Sequence, residues 1–260
     1  MTGHKHTRDL RAPGEDSGKP SAQHAEASVP PGHVPVQAVG QRLAQLAREL
    51  QREQDPQAVM ERIVAAVVEL VPGAEDATIT RVHARRHVFS QASAKEWGIQ
   101  LDQLQDETGE GPCLDALYEA QTVRVRDLAT DERWPRLAER AAAAGLRSVM
   151  GFQLFVEGDN LGSLDLISTS PDVFDDESED IGQLFAAHAS IAIADVEQLA
   201  HVRTGLQNRD VIGQAKGILM ERHRLSADQS FALLVRVSQE SNRKLREVAE
   251  ELATTGQLVR

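Results

Sequence analysis

Apolar residues in the first third of the chain recur every three or four positions, which is the spacing of an amphipathic helix. This pattern predicts a helix over 38–53. Asp55 and Pro56 then have the order of an N-cap and a first helical residue, and they predict a second helix running to about Leu70. The residues before these helices, 1–36, are polar and rich in Pro, Gly and His, so we expect a disordered tail.

After the second helix the apolar period changes from helical spacing to two, which is typical of β-strands. The strands predicted by this alternation are 77–82, 123–125, 148–156 and 161–167. Residues 157–160 have the composition of a hairpin turn, and 134–144 read as a helix between strands. The pattern predicts an α+β domain built on an antiparallel sheet with flanking helices.

The pattern is helical again from Asp175 to about His223. Its apolar stripe is too long to be covered by one small domain, although the first half is expected to pack on the domain's own sheet. A second copy of the same helix is the simplest cover for the rest. The sequence therefore predicts a homodimer formed through the helices around 38–53 and 180–206.

The last part of the chain predicts a separate bundle of three helices. The first covers about 209–222, the second begins with a capping box at Ser226, and the third begins with Asn242 as N-cap and ends at Gly256. In the second helix we expect three side chains to point inward: Phe231, Leu234 and Val235. The predicted organisation is a tail over 1–36, an α+β domain over 37–202 and a bundle over 203–260.

The charge distribution supports this division. The 260 residues carry 28 basic and 40 acidic side chains, for a net charge of −12. Residues 203–260 nevertheless have a net charge of +3, whereas 37–202 have −15. The negative net charge of the whole chain argues against broad nucleic-acid binding, but the positive net charge of residues 203–260 provides a local patch for an anionic partner.

Several classes of protein lose support from what the sequence lacks. A single cysteine excludes an internal disulfide framework and a cysteine-rich zinc ribbon. No apolar run is long enough to cross a bilayer, and the start has no signal-peptide pattern, so we expect a cytoplasmic protein. The phosphate-binding glycine loop, HExxH and Gly-x-Ser-x-Gly motifs are missing. We predict no enzyme, no metal site and no cofactor.

Two residues of the α+β domain are candidates for a ligand or redox site. Cys113 begins a predicted helix, whose N-terminus would favour a thiolate and a sensor role. The alternative is a small buried residue that anchors a loop. Trp134 lies in a loop expected to cover one end of the core, and a ligand site could form beneath it. Packing alone is the alternative for Trp134.

The start of the third bundle helix has an unusual charge order. Three cations would fall in its first turn: Arg243, Lys244 and Arg246. Each cation there is disfavoured by ~0.3–1 kcal/mol, because a helix N-terminus is partially positive. An anion such as phosphate would offset this cost, and Arg209 and Lys216 could extend the basic strip. The alternative is a solvated polar face.

The strings Arg209-Asp-Val-Ile-Gly-Gln-Ala-Lys-Gly-Ile-Leu-Met-Glu-Arg222 and Asn242-Arg-Lys-Leu-Arg-Glu-Val-Ala249 closely resemble the ANTAR domain. The strings Gly109-Glu-Gly-Pro-Cys-Leu-Asp-Ala-Leu117, Asp127-Leu-Ala-Thr-Asp and Leu161-Gly-Ser-Leu-Asp-Leu resemble the GAF sensor domain of actinobacterial GAF–ANTAR regulators. ANTAR domains are three-helix RNA-binding modules that act in transcription antitermination. GAF domains have a mostly antiparallel sheet with helices on its outer face.

The resemblance implies a regulator that binds stem-loops in nascent leader RNA, with a GAF input domain whose signal is open: an unknown small-molecule ligand, or no ligand at all. Sequence-specific recognition of RNA usually targets loop bases, and contacts to the backbone supply affinity. The residues expected to contact RNA are Arg209, Gln214, Lys216, Ser238, Asn242, Arg243, Lys244 and Arg246. The alternative function is a ligand- or redox-sensing module whose last domain binds a protein partner.

Overall fold

The computed structural model describes residues 35–83, 87–118, 121–157 and 159–257. The tail predicted over 1–36 lies outside these ranges except for its last two residues. Within them the helices are α1 (Val36–Leu50), α2 (Pro56–Leu70), α3 (Glu96–Thr108), α4 (Pro112–Tyr118), α5 (Pro135–Ala143), α6 (Asp176–His223), α7 (Ala227–Ser241) and α8 (Leu245–Thr255). The strands are β1 (Asp76–His83), β2 (His87–Ser93), β3 (Thr122–Val125), β4 (Ser148–Val156) and β5 (Asp159–Ser168).

The strands form one antiparallel sheet of five in the order β2-β1-β5-β4-β3. The central pair is a hairpin, in which Val156 of β4 lies opposite Asp159 of β5. The structure confirms the predicted hairpin, with a turn shorter than the 157–160 of the sequence analysis. It also confirms the antiparallel sheet with flanking helices.

Helices cover both faces of the sheet, and each face has its own apolar core. On one face, Phe152 of β4 and Leu164 of β5 pack with residues of α1, α2 and α6. On the other face, Val149 and Ile167 pack with α3, α4 and α5 around Trp134. Because neighbouring residues of a strand point to opposite faces, both alternating sets of side chains are buried.

Most predicted elements are confirmed within a few residues. Asp55 caps α2 by accepting a hydrogen bond from the backbone N–H of Gln57, and Pro56 is the first helical residue. Two elements were absent from the sequence prediction, namely β2 and α3. The inward face of α3 is largely polar, and it includes buried Asp102 and Gln105, so it carries no apolar stripe that periodicity could detect.

Helix α6 is one continuous element of 48 residues, and it extends from the sheet into the C-terminal bundle. Asp175 caps its start by accepting a hydrogen bond from the backbone N–H of Ser178. Gly182 lies directly against Phe152, where an added Cβ would come within 2.2 Å of the ring. No helix in the described ranges combines the length and apolar character that a membrane span requires.

The C-terminal bundle is formed by the end of α6 together with α7 and α8. Its core contains Leu219 of α6, Leu234 of α7 and Leu252 of α8, all buried. The capping box at Ser226 is confirmed, because its side chain and that of Gln229 each bond the other's backbone. Gly256 ends α8 in the left-handed conformation, as predicted.

Two predictions about α7 were wrong in part. Phe231 is 42% exposed rather than inward, and Val235 is half-buried; Val237 takes the inward position instead. The inward side of α7 is formed by Ser230, Leu234 and Val237, and at about 100° per residue Phe231 lies at the edge of that side, about 120° around the helix from Val237. Phe231 is therefore available at the surface of the bundle.

The predicted N-cap role of Asn242 was also wrong. Asn242 ends α7 with a φ of 51°, a left-handed conformation that asparagine tolerates better than most residues. Its N–H and that of Arg243 donate to the last carbonyl groups of α7. Helix α8 then begins at Leu245 with Lys244 as N-cap. Of the three cations expected in its first turn, only Arg246 lies there.

Candidate nucleic-acid interface and buried polar cluster

Lys216 and Phe231 form a contact on the surface of the bundle. Lys216 on α6 is half-buried, and its Nζ lies 5.8 Å from the centre of the Phe231 ring. This distance is within the range of a cation–π interaction. Gly213 and Gly217 flank Lys216, and an added Cβ at either would meet no atom within 4 Å. The backbone of α6 is therefore open beside the lysine.

The segment between α7 and α8 carries the second group of candidate residues. Ser238 Oγ donates a hydrogen bond of 2.5 Å to the carbonyl oxygen of Arg243, so this hydroxyl helps to hold the turn. Arg243 Nη1 lies 2.5 Å from Glu251 Oε2. Arg246 Nε lies 3.8 Å from Glu250 Oε2. Both arginines therefore have an acidic neighbour.

The other candidate cations differ from these two arginines. Within the described ranges, no carboxylate forms an ion pair with Arg209, Lys216 or Lys244. Arg209 and Lys244 are exposed, and so are the polar candidates Gln214 and Asn242. Phe231 lies about 15 Å from the end of α7 at Ser241, at a rise of about 1.5 Å per residue, and Lys244 follows beyond that end. The candidate residues thus lie near both ends of α7.

A second site candidate is a cluster of buried polar side chains between the sheet and α3. Asp102 of α3, Cys113 of α4 and Asp165 of β5 each place one potential ligand atom within 4.8 Å of the others. Cys113 Sγ lies 3.8 Å from Asp102 Oδ1. Gln105 Nε2 donates to Cys113 Sγ at 2.7 Å and to Asp102 Oδ1 at 3.3 Å.

Comparison with protein families assigns both parts of the chain. The model of the GAF domain matches residues 53–194, which is more than half of the sequence. The chain belongs to the GAF domain family. The model of the ANTAR domain matches residues 200–252, which contain the second half of α6, all of α7 and most of α8. The GAF–ANTAR architecture inferred from the sequence motifs is confirmed. No curated protein matches the sequence.

Solved structures share the fold of the GAF domain. A free methionine-R-sulfoxide reductase from Neisseria meningitidis, in complex with its substrate, is 19% identical, with a TM-score of 0.50 over 62% of this chain and 92% of its own. A bacteriophytochrome from R. palustris is 14% identical, with a TM-score of 0.56 over 87% of this chain and 48% of its own. At these identities the likeness shows the fold alone.

The surroundings of Cys113 do not favour the thiolate that its position at the start of a helix suggested. Cys113 is fully buried, and burial raises the pKa of its thiol well above the usual value, with the charge of Asp165 adding to the effect. The predicted shift toward a thiolate was therefore wrong, because helix α4 supplies less than desolvation removes. The burial that the alternative interpretation expected for Cys113 is confirmed.

Trp134 lies elsewhere in the GAF domain. It is 3% exposed and packs in the core beside α5, so the expected cover over one end of the core is present. The guanidinium of Arg133 lies over its ring at 4.2 Å, and Asp131 binds that guanidinium in turn. The polar loop before Trp134 is held by Asp127, whose carboxylate receives two hydrogen bonds from Arg147.

The sequence analysis missed the two carboxylates that surround Cys113. Asp165 was included in a predicted strand, in the string Leu164-Asp165-Leu166, where a polar residue between two apolar ones usually faces solvent. Asp102 belongs to α3, which was not predicted. The sequence carried no signal for its burial, because the helices that cover this face of the sheet include α3, which was not predicted.

Proposed function

We propose that this chain is an RNA-binding regulator of transcription antitermination, whose last three helices bind stem-loops in nascent leader RNA and whose GAF domain receives the input signal. The observation that carries the proposal is the contact between Lys216 and exposed Phe231 inside the ANTAR match. We assign residues 37–202 to the input domain and 203–260 to the RNA-binding domain. Nascent transcripts occur in the bacterial cytoplasm, where the protein would act.

Charge at the C-terminal end favours an anionic partner. Residues 203–260 carry a net charge of +3 beside a GAF domain that is strongly acidic. Lys216 and Lys244 have no carboxylate partner among the described residues, so phosphate groups meet no competing ion pair there. Arg243 and Arg246 already have acidic neighbours, and RNA would have to displace or share them. We therefore give the two lysines the leading role in phosphate contact.

Exposed Phe231 adds a surface for bases. Proteins that recognise RNA loops stack unpaired bases on aromatic rings, and each stacked base contributes ~1–3 kcal/mol. Phe231 offers such a ring beside the ammonium group of Lys216. One loop nucleotide would then place its base on the ring and its phosphate near the lysine. Gln214 and Asn242 remain the candidates for base edges, whereas Ser238 is engaged by the backbone.

The proposed function is tested with the transcript segment that crosslinks to the full chain in cells. We expect Lys216→Gln to weaken binding to this RNA and to lower the slope of log K against log salt by about 1, because one phosphate contact is lost. Phe231→Ala should weaken binding with little change in the salt slope. Both are measured by titration of labelled RNA at several salt concentrations.

The matched control is Lys95→Gln. Lys95 lies over Trp97 in the GAF domain at 5.4 Å, so it is also a lysine on an aromatic ring, but outside the proposed interface. RNA binding should be unchanged in this variant. If Lys95→Gln and Lys216→Gln weakened RNA binding equally, Lys216 would not be a specific contact to RNA. Recovery of a protein partner and no transcript would favour the alternative of a protein-binding domain.

We also propose that the chain acts as a homodimer. Five large apolar side chains of α6 are 48–64% exposed: Leu184, Ile191, Leu199, Val202 and Leu206. They lie about one or two helical turns apart, so they form a stripe of about 33 Å along one side of the helix. A groove of about 430 Å³ between α1 and α6 adjoins the stripe and is lined mainly by apolar residues. The α6 helix of a second copy would cover both.

A further inference from the structure

The buried cluster of the GAF domain gathers ligands from three elements. Asp102 comes from α3, Cys113 from α4 and Asp165 from β5, and all three are at most 1% exposed. Their potential ligand atoms lie within 4.8 Å of one another. The anionic forms of these side chains are costly to bury without a compensating charge. The cluster needs either protons or a cation.

One atom of the cluster has no hydrogen-bond partner. Asp165 Oδ2 accepts a hydrogen bond of 2.7 Å from Ser163 Oγ, whereas the buried Oδ1 has no partner with normal hydrogen-bond geometry, although Cys113 and Thr80 lie close enough to interact with this carboxylate. A buried oxygen without a partner is rare, because its lost hydration is not replaced. Gly151 of β4 leaves room for this oxygen, since a Cβ there would stand 2.7 Å from Oδ1. The chain thus keeps Oδ1 in place and unsatisfied.

The remaining polar atoms hold the other two groups. Asp102 Oδ2 accepts hydrogen bonds from Thr80 Oγ1 at 2.8 Å and from Ser90 Oγ at 2.6 Å, which leaves Oδ1 turned toward Cys113. Gln105 Nε2 donates to Cys113 Sγ, so the sulfur already serves as an acceptor. Hydrogen bonds of this kind fix the orientation of metal ligands.

We propose that Asp102, Cys113 and Asp165 bind a divalent transition-metal ion of the Zn²⁺ type, through Asp102 Oδ1, Cys113 Sγ and Asp165 Oδ1. In a tetrahedral site with usual bond lengths the sulfur and a carboxylate oxygen are about 3.5 Å apart. The observed Sγ–Oδ1 distance of 3.8 Å for Cys113 and Asp102 needs little adjustment. A thiolate ligand disfavours Mg²⁺ and Ca²⁺, and the carboxylates disfavour Cu⁺.

Binding exchanges protons for the ion. The metal forms one bond to sulfur and one to each carboxylate, and the protons held by these groups pass to solvent. The ion also gives Asp165 Oδ1 the partner that it lacks. Three protein ligands leave a fourth position for water or an incoming ligand. The site concerns the GAF domain alone, so it stands or falls independently of RNA binding.

The test uses Co²⁺ as a probe on the full chain after removal of metal by a chelator. Thiolate bound to Co²⁺ gives a charge-transfer absorption in the near ultraviolet, and Cys113 is the one cysteine of the sequence. We expect this band to saturate at one Co²⁺ per chain and to disappear when Zn²⁺ is added. Zn²⁺ should also raise the Tm of the metal-free protein.

Variants assign the ligands. Cys113→Ser should remove the band, and Asp165→Asn should reduce the affinity for Co²⁺ at least about tenfold. The control is a double variant, His83→Ala with His87→Ala, since these exposed histidines face each other across β1 and β2 and offer a surface site. That variant should keep the band. If Asp165→Asn does not fold, the spectrum of the unaltered chain still shows whether the thiolate of Cys113 binds Co²⁺.

Absence of the thiolate band at millimolar Co²⁺ would overturn the proposal. So would metal binding that persists in Cys113→Ser and is lost in the histidine variant, because the ion would then lie on the surface. A band that survives in both Asp165→Asn and Asp102→Asn would also exclude the proposed ligand set.

Discussion

Asp102 and Asp165 are buried close to each other in the GAF domain, and burial favours the protonated form of both carboxyl groups. Burial, followed by the charge of Asp165, raises the pKa of Asp102 to about 7. Burial also raises the pKa of Asp165 to about 6. In the unfolded chain both groups would ionise near pH 4. Folding of the metal-free protein therefore takes up protons between about pH 4 and 7, and its free energy of unfolding falls as pH rises through this window.

The metal-free chain should have a lower Tm at pH 8 than at pH 5, by several degrees. Each kcal/mol of stability corresponds to roughly 2–4 °C in a chain of this size. Asp102→Asn should reduce this difference, because the amide carries no charge at either pH. Thermal unfolding in the presence of a chelator measures both.

The exposed Asp180 provides the matched control, and Asp180→Asn should keep the pH difference of the unaltered chain. Groups with a lowered pKa do not interfere. Arg147, as the main cause, holds the pKa of Asp127 below its usual value, so that group titrates below pH 5. An unchanged difference in Asp102→Asn would show that this carboxyl group does not take up a proton on folding.

At the level of single residues, the sequence predicted positions better than environments. Cys113 was recognised as unusual, yet its state depends on Asp102 and Asp165, which approach it from α3 and β5. Such neighbours are set by tertiary packing and not by local pattern. Phe231 is a second example: it was predicted to be buried because it is apolar and lies close to the inward stripe of α7, but it is exposed.

Among the elements, α6 contains glycines whose surroundings differ sharply. Gly182 packs against the ring of Phe152, and an added Cβ would lie 2.2–3.0 Å from its atoms. Gly213 lies on the same helix with no atom within 4 Å of an added Cβ. The first glycine allows the helix to approach the sheet, whereas the second has no packing role within the described part of the chain.

Gly182→Ala should therefore destabilise the chain by roughly 1–3 kcal/mol, because the ring of Phe152 is itself buried and has little room to move. Gly213→Ala should stabilise it by roughly 0.5–1 kcal/mol through helix propensity. Urea unfolding of both variants beside the unaltered chain gives the two values. The same sign for both would mean that close packing at Gly182 does not govern its effect.

The start of α8 shows why element boundaries are harder to predict than elements. Asparagine is favoured both as an N-cap and as a left-handed residue after a helix, so Asn242 fits either role in the sequence. The structure uses the second role, and α8 begins three residues later, at Leu245. The choice depends on the hydrogen bonds that Asn242 and Arg243 donate back to α7, which no local pattern reveals.

At the scale of the whole molecule, α6 connects the GAF domain and the ANTAR domain. The GAF match ends at residue 194 and the ANTAR match begins at residue 200, and α6 runs through both without a break. Its buried face packs on the sheet, and its exposed stripe continues past the end of the GAF match. A second copy on this stripe would bring two ANTAR domains into one dimer.

The proposed dimer is tested by introducing charged side chains into the exposed apolar stripe of α6. We expect the unaltered chain to be a dimer at micromolar concentration, and the double variant Leu199→Glu with Val202→Glu to be a monomer, since paired copies would bring four carboxylates into an apolar contact. Met220→Glu is the control, because Met220 is an exposed apolar residue of α6 beyond the stripe. It should remain dimeric. Sedimentation equilibrium measures all three, and a monomeric unaltered chain or a dimeric double variant would refute the interface.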